Sequence, residues 1–209
     1  MKLWTFGDSF SCNFYSDFYY VKKYTEFKGY VPKIYSEIIS DEFNCELKNF
    51  AICGDNNYNI FHTFINQIDN IKNDDIVIIQ FSSVYRYRLI DKNDEFSSVA
   101  AYWDGGYDKF NESKDSIIEI GLNRMSEKYK EEIDDWIRIA KLLLKNNKLI
   151  FWSPFNESTG NPNMLPYYKL SDITTETNNK VNDHHYGEDG HKDISNFILK
   201  TLSNKKTLL

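Results

Sequence analysis

The stretch Asp75-Ile76-Val77-Ile78-Ile79-Gln80-Phe81 carries the clearest structural signal in the sequence. Its apolar residues follow one another without the alternation that marks a strand with one solvated face. An uninterrupted apolar strand is typical of a parallel sheet that is covered by helices on both faces. The stretch therefore predicts a central strand in an α/β protein.

Strand and helix patterns alternate on both sides of this stretch. Short apolar runs predict further strands at Leu3–Phe6, Leu47–Ile52 and Lys148–Trp152. Apolar residues at helical spacing predict helices over residues 30 to about 43, 60–71, 126–147 and 189 to about 202. This alternation predicts an α/β protein with a three-layer α/β/α architecture around a central, mostly parallel sheet.

The length of 209 residues suits a single α/β domain that spans residues 1–209. Residues 91–125 interrupt the alternation, since they are polar and rich in Trp, Tyr and Gly, and they predict a loop insertion. Long irregular segments in compact domains often bind ligands. Trp103 in this insertion is therefore a candidate substrate contact, with packing of the loop onto the body as the alternative.

Charge and composition argue against several classes of partner. The 25 basic and 31 acidic residues give a net charge of −6, and no cluster of Lys and Arg forms the basic stripe of a nucleic-acid binder. No apolar run approaches the ~18 residues that a membrane span needs, and Gly7 and Asp8 come too early for a signal peptide. Three cysteines without CxxC spacing argue against a disulfide framework or a zinc site and suit a reducing compartment. We therefore expect a cytoplasmic protein without nucleic acid, membrane span or metal.

Three polar blocks lie at strand ends or just before the last predicted helix. Gly7-Asp8-Ser9-Phe10-Ser11 directly follows the first strand, and ligands of parallel sheets bind at such carboxyl ends. Asn49-Phe50-Ala51-Ile52-Cys53-Gly54 ends the second strand, where Gly54 could offer its backbone N–H to an oxyanion. The block 182–191 holds three of the four histidines. Zinc is the rival interpretation of that block, but no cysteine or second cluster completes a ligand shell.

In order and spacing, the three blocks resemble those of the SGNH/GDSL hydrolase family, over nearly the whole chain. Ser9 matches the family's nucleophile and Gly54 its oxyanion-hole glycine. His185 matches the catalytic histidine because Gly190 follows it by five residues, which leaves His191 as a structural residue of the last helix. The resemblance implies a flavodoxin-like fold and a serine esterase that needs no metal or organic cofactor.

The acidic member of the implied triad departs from the common family pattern. The family usually places an Asp three residues before the histidine, a position that Asn182 holds in this sequence. Asp183 lies two residues before His185 and reproduces the Asp-x-His pair of some acetyl-transferring relatives. The resemblance therefore implies that Asp183 orients His185, with Asn182 as the alternative.

The third block of the family also differs. Val84 stands where the family's oxyanion-hole Asn is expected, and losing one such donor can cost ~3 kcal/mol of transition-state stabilisation. Ser82, Ser83 or Arg86 are candidates to replace that donor and to contact the substrate. Arg86 is also a candidate clamp for an anionic group of the substrate, with an ordinary surface position as the alternative.

Together these residues predict a serine esterase that acts on a small acyl group of a carbohydrate or similar alcohol. Ser9 would attack the acyl carbonyl, His185 would move the proton, and Asp183 would orient the imidazole. The backbone N–H groups of Ser9 and Gly54 would hold the oxyanion, and Asn56 is a further candidate substrate contact. An O-acyltransferase would share this site, and a non-catalytic carbohydrate-binding module on the same fold is the competing class.

Overall fold

A four-stranded parallel sheet forms the centre of the fold. The structure, a computed structural model, describes residues 1–14, 19–84, 86–90, 96–100, 116–156, 161–166 and 168–204. The strands of the sheet are β1 (Lys2–Phe6), β2 (Glu46–Asn49), β3 (Ile76–Gln80) and β6 (Lys148–Trp152). They lie in the order β2-β1-β3-β6, and every pairing is parallel. A separate two-stranded antiparallel sheet consists of β4 (Arg86–Ile90) and β5 (Phe96–Ala100).

Helices cover both faces of the four-stranded sheet. The helices of the described residues are α1 (Tyr19–Lys28), α2 (Tyr35–Glu42), α3 (Asn57–Gln67), α4 (Ser116–Leu143), α5 (Ile173–Glu176) and α6 (Glu188–Asn204), with a 3₁₀ turn at Ile68–Asn70. The helices α3 and α4 pack on one face, and α2 and α6 pack on the other. The protein is therefore an α/β protein with three layers, as the alternation of sequence patterns predicted.

The alternation of side chains along each strand divides the core in two. One face of the sheet presents Trp4, Phe6, Val77, Ile79, Leu149 and Phe151 to α3 and α4. The opposite face presents Leu3, Ile76, Ile78, Ile150 and Trp152 to α2 and α6. Every residue of β3 is buried, because this strand lies inside the sheet and beneath both helix layers. This position explains the uninterrupted apolar sequence of the strand.

The two edge strands of the sheet have different surroundings. At the β6 edge, the backbone N–H of Leu165 donates to the carbonyl oxygen of Phe151 at 2.8 Å. At the other edge, β2 is four residues long and carries Glu46, whose carboxylate lies 3.0 Å from Lys2 and 2.6 Å from Lys48. A loop thus runs beside β6, whereas β2 borders a group of charged side chains.

Several predicted boundaries differ from the observed ones. The second strand ends at Asn49 rather than at residue 52, although the backbone N–H groups of Phe50 and Ile52 still donate to the carbonyl oxygens of Thr5 in β1 and of Gly7 after it. The helix α2 begins at Tyr35 rather than at residue 30, because Ile34 is still extended. The Glu37 side chain accepts the backbone N–H of Ile34 at 2.9 Å and so caps the first turn of α2. Local hydrogen bonds, rather than apolar spacing, set these two boundaries.

The sequence predicts a loop insertion at residues 91–125, and the part of this range that the structure describes is regular secondary structure. Those residues form β5 and the beginning of α4, which starts at Ser116 rather than at residue 126. Gly121 and interspersed polar residues weaken the helical pattern there, although no proline interrupts it. The helix α1 was not predicted either, since Lys and Glu interrupt its apolar residues.

Asp75 joins the starts of β1 and β3. Its carboxylate accepts hydrogen bonds from the backbone N–H groups of Lys2 at 2.6 Å and Lys72 at 3.0 Å, and from the indole N–H of Trp4 at 2.9 Å. Burial opposes the charged form, but these hydrogen bonds outweigh it and hold the pKa of Asp75 below its usual value. The carboxylate therefore stabilises the fold at neutral pH and loses this effect as the pH falls through the lowered pKa.

We expect Asp75→Asn to lower the free energy of unfolding by about 1–3 kcal/mol at pH 7, because an amide replaces one accepting oxygen with a donor. The difference from the wild type should shrink in acid, where the wild type also loses its carboxylate. Urea denaturation at several pH values measures both effects. Asp74→Asn, at the exposed neighbouring position, is the control. An equal loss of stability in both variants would contradict the role of Asp75.

Candidate active site

Ser9 lies in the turn that follows β1, at the carboxyl end of the sheet. Gln80 of β3 holds this turn, since its side-chain oxygen accepts the backbone N–H of Asp8 at 2.8 Å. A Cβ atom on Gly7 would come within 2.5 Å of that oxygen and within 2.8 Å of Ser11 Oγ. Glycine is therefore required for the close approach of the turn to β3. This packing fixes the backbone that carries Ser9.

Asp8 is fully buried beneath this turn and binds two other segments. One carboxylate oxygen accepts the backbone N–H of Phe10 at 3.0 Å. The other accepts the hydroxyl of Ser82 at 2.6 Å and Nη1 of Arg86 at 3.2 Å. The same Arg86 nitrogen donates to the carbonyl oxygen of Asp55 at 3.0 Å, in the turn after β2. Asp8 and Arg86 thereby join the segments that follow β1, β2 and β3.

Three side chains form a continuous hydrogen-bonded chain at this end of the sheet. His185 Nε2 lies 2.7 Å from Ser9 Oγ, and His185 Nδ1 lies 2.6 Å from Asp183 Oδ1. Ser9 and His185 are partly exposed, whereas Asp183 is buried. The structure thus brings together the serine, the histidine and the aspartate that the sequence indicated as a triad.

The segment around α5 holds Asp183 in place. The backbone N–H of Asp183 donates to Thr174 Oγ1 at 2.7 Å, and the backbone N–H of Thr174 donates to the carbonyl oxygen of Asp183 at 2.9 Å. Asp183 Oδ1 also accepts the backbone N–H of His185 at 2.9 Å, while Oδ2 is buried without a partner among the described protein atoms. Asn182, the alternative, is exposed to solvent. In this structure the imidazole of His185 is therefore held by Asp183.

The two other histidines of the C-terminal block have different surroundings. His184 is exposed, and its Nδ1 lies 2.8 Å from Asp172 Oδ2. His191 is buried in α6, where its Nδ1 accepts the backbone N–H of Tyr35 at 3.4 Å. Burial and, to a smaller extent, the interaction with His185 lower the pKa of His191 to about 3, so the His191 ring stays neutral. His191 is thus part of the packing of the last helix.

The turn after β2, which contains Gly54, lies against the turn after β1. The backbone N–H of Ile52 donates to the carbonyl oxygen of Gly7 at 3.0 Å, and Asn49 Nδ2 donates to that of Ser11 at 2.9 Å. Gly54 has a φ of +86°, and a side chain there would meet no neighbouring atom. The left-handed backbone, rather than a lack of space, favours glycine at this position.

The segment after β3 supports the site from inside. Ser82 is buried and gives its single hydroxyl proton to Asp8, so this proton does not serve an oxyanion. The carbonyl oxygen of Ser83 accepts the backbone N–H of Arg86 at 3.1 Å. The Arg86 side chain, a candidate clamp for a substrate anion, is 13% exposed, and the contacts described for it are internal. Val84 is buried in the core with residues of α3 and α4.

Asn56 and Trp103 are the remaining candidate substrate contacts. Asn56 is buried, and its side-chain oxygen accepts the backbone N–H of Asn59 at 3.0 Å. This contact caps the first turn of α3 and satisfies a donor that the helix cannot pair internally. Asn56 therefore has a structural contact, whereas Trp103 lies outside the described residues and its role stays a prediction.

Several residues that contact the site were not indicated by the sequence. Phe10 packs against the ring of His185, with the two ring centroids 4.7 Å apart. Its position directly after Ser9 is a signal that sequence reasoning could have used. Gln80 and Thr174 carry no comparable signal, because each reaches the site through a contact with a residue far away in the sequence.

A small cavity lies beside the candidate triad. It is lined by Ser9 and His185 and also by Cys12, Phe14 and Cys53, and its volume is about 20 Å³. A space of this size holds a group about as large as one water molecule. The described part of the site therefore has room for a small group next to Ser9.

A comparison with known protein families found no match, and a comparison with curated proteins found no match either. Within the described ranges, no group of three or more His, Cys, Asp or Glu side chains is placed to hold a metal ion. No helix in the same ranges is both long and apolar enough to cross a membrane. The geometry of the site is thus the basis for proposing a function.

We expect Asp8→Ala to lower the free energy of unfolding by about 3–5 kcal/mol, because Arg86 then lacks its buried partner. Arg86→Met should also destabilise the protein, and the double variant should lose less than the sum of the two single losses. Urea denaturation of the four proteins measures this coupling. The exposed pair of Arg138 and Asp135, 3.1 Å apart, is the control and should couple by less than about 1 kcal/mol. Additive losses at Asp8 and Arg86 would show that they act independently.

Proposed function

We propose that this protein is a serine esterase of the SGNH/GDSL type that removes a small acyl group from a carbohydrate or similar alcohol. The observation that carries the proposal is the chain of contacts from Ser9 Oγ through His185 to Asp183, at 2.7 and 2.6 Å. Such chemistry needs a hydroxyl nucleophile, a base within hydrogen-bond reach, and a carboxylate that orients the base.

The hydrogen bond to Asp183 supports His185 as the general base. A carboxylate accepts hydrogen bonds, so His185 Nδ1 carries the proton that lies between the two side chains. In the neutral ring, Nε2 is then unprotonated and accepts the hydroxyl proton of Ser9. This tautomer is the one that can remove the proton when Ser9 attacks.

In the proposed reaction, Ser9 Oγ attacks the acyl carbonyl while His185 Nε2 takes the hydroxyl proton. The tetrahedral oxyanion accepts hydrogen bonds from the backbone N–H groups of Ser9 and Gly54. His185 then protonates the leaving alcohol, and Ser9 keeps the acyl group as an ester. Water, activated by the same imidazole, attacks this ester and restores the free hydroxyl of Ser9.

The size of the cavity beside Ser9 supports a short acyl group. Its volume of about 20 Å³, among the described residues, leaves room for a small group such as the methyl group of an acetyl ester. An alcohol that enters in place of water would convert the same acyl-enzyme into an O-acyltransferase. The hydrolytic and the transfer reaction therefore share the residues proposed here.

A non-catalytic carbohydrate-binding protein is the second candidate. The position of Val84 favours it, because this side chain lies in the core where an oxyanion-hole Asn is expected. The hydrogen bond between Ser9 and His185 favours the esterase, since a binding protein has no need of an activated hydroxyl. The reactivity of Ser9 distinguishes the two candidates.

We expect a fluorophosphonate probe to label Ser9 covalently, because the hydrogen bond to His185 activates the hydroxyl. Ser9→Ala should abolish labelling and reduce hydrolysis of an activated acetate ester to near the uncatalysed rate, with an unchanged denaturation midpoint. Mass spectrometry of the Ser9 peptide and a spectrophotometric ester assay give these results. Heat-denatured protein is the control and should not react. A folded wild type that remains unlabelled would favour the binding protein.

We expect His185→Ala to reduce ester hydrolysis by several orders of magnitude, because no other described group accepts the Ser9 proton. The matched control is His184→Ala, which removes a neighbouring exposed ring and should keep more than half of the activity. His191→Ala should act through stability, since it leaves a space in the packing of α6. The rate constants and the thermal midpoints separate these effects. Loss of activity in a folded His184→Ala protein would contradict the assignment of His185 as the general base.

A further inference from the structure

Two thiols lie next to the candidate catalytic residues. Cys12 follows Ser9 by three positions, and Cys53 directly precedes Gly54. Both thiols line the cavity that Ser9 and His185 also line, and both are partly buried. Each thiol shifts the pKa of the other, which is consistent with their positions at the same small cavity. The two side chains thus border one shared space.

Other contacts hold the segments of the two thiols together. Hydrogen bonds from Asn49 and Ile52 reach the turn after β1 at 2.9 and 3.0 Å. Cys12 Sγ lies 3.3 Å from the carbonyl oxygen of Ala51, which is two residues before Cys53. A bond between the thiols would shorten their separation to about 2.05 Å and would link segments that are already in contact. Such a bond needs no rearrangement of the sheet.

The surroundings favour a thiolate at Cys53. The interaction with Cys12 lowers the pKa of Cys53, burial and the carboxylate of Asp8 oppose this, and the interactions with the His185 ring and with Arg86 add to the lowering. The same interaction between the two thiols, together with burial, raises the pKa of Cys12. The thiolate is the attacking species in thiol–disulfide exchange. Cys53 is therefore the attacking sulfur, and Cys12 supplies the thiol that completes the exchange.

We propose that Cys12 and Cys53 form a redox-modification site, whose reversible disulfide switches the neighbouring Ser9 site off. The disulfide is independent of the function proposed above, whereas the switch rests on it. The two cysteines come from the turns after adjacent strands, so the crosslink joins the segment of Ser9 to the segment of Gly54. No metal or organic cofactor takes part.

The oxidant in this reaction is a low-molecular-weight disulfide. The Cys53 thiolate attacks one of its sulfurs, a mixed disulfide forms, and one small thiolate leaves. Cys12 then attacks the Cys53 sulfur of the mixed disulfide, and a second small thiolate leaves. In total the protein gives up two electrons and two protons, and the oxidant is reduced to two small thiols. An excess of reduced thiol reverses both steps.

Closure of the disulfide acts on the oxyanion side of the site. The backbone N–H of Gly54 belongs to the peptide bond with Cys53, so a shift of Cys53 towards Cys12 displaces this donor. A Cβ atom on Gly54 would meet no atom within 4 Å, and glycine tolerates a change of φ and ψ, so the backbone at this position can follow the shift. Loss of one oxyanion donor lowers the rate of acyl transfer by about 10²–10³-fold. The oxidised protein should therefore react slowly at Ser9.

The test exposes the folded protein to oxidised glutathione and follows the thiols and Ser9 in parallel. The intact mass should fall by two hydrogens, and peptide mapping should join Cys12 to Cys53. The number of thiols that react in a thiol titration should fall from three to one, and the remaining thiol should be that of Cys45. Labelling of Ser9 by a fluorophosphonate should slow at least about tenfold and should recover after treatment with dithiothreitol.

Cysteine variants identify the reacting sulfurs. Cys45→Ser is the matched control, since Cys45 packs at the core beneath α2 and α6, and this variant should respond as the wild type does. Cys12→Ser should accumulate a mixed disulfide with glutathione at Cys53, because the attacking thiolate remains. Cys53→Ser should form neither the disulfide with Cys12 nor a mixed disulfide with glutathione in the turn after β2.

Each remaining outcome contradicts a defined part of the proposal. A folded protein that forms no disulfide, or one that pairs Cys45, overturns the modification site. A bond between Cys12 and Cys53 that leaves the labelling of Ser9 unchanged overturns the switch alone. If Ser9 does not label in the reduced protein, the esterase and the switch both fail, while the mass and thiol measurements still decide the disulfide.

Discussion

The buried carboxylate of Asp8 connects the parts of the site that come from different strands. Its hydrogen bonds reach the backbone of its own turn, the hydroxyl of Ser82 after β3, and Arg86. Arg86 continues the connection to the carbonyl oxygen of Asp55 after β2. A movement that breaks one of these contacts leaves a buried polar group unpaired, which is costly. The three segments at the carboxyl end of the sheet therefore hold one another in place.

The histidine of the candidate triad reaches this end of the sheet from far along the chain. Ser9 and His185 are 176 positions apart, yet their side chains are 2.7 Å apart. Asp183 binds both the ring and the backbone N–H of His185, so base and carboxylate form one short, self-supporting unit. Thr174 fixes that unit through three hydrogen bonds to the backbone of Asp183. The site therefore forms when two local structures come into contact: the turn that carries Ser9 and the unit of Asp183 and His185.

Sequence patterns predicted those elements whose burial repeats regularly along the chain, as in β3 and β6. They missed α1, because its buried residues pack against loops and α5 rather than against the sheet, and so show little periodic pattern. At the site, the motif resemblance indicated Ser9, Asp183 and His185, which the structure brings together. The internal role of Arg86 could not be predicted, because it depends on a partner 78 positions away in the sequence. Local spacing contains no information about such a pair.

The edges of the sheet affect how copies of this protein meet at high concentration. An edge strand with unpaired backbone groups is a template onto which a second chain can add. At β6 the loop that contains Leu165 already uses the carbonyl oxygen of Phe151. At β2 the strand is four residues long, and an added strand would take Glu46 and its two lysine partners out of water. A strand from another copy would have to displace a loop on one side or desolvate a short, charged strand on the other, and this barrier favours discrete particles over fibrous aggregates.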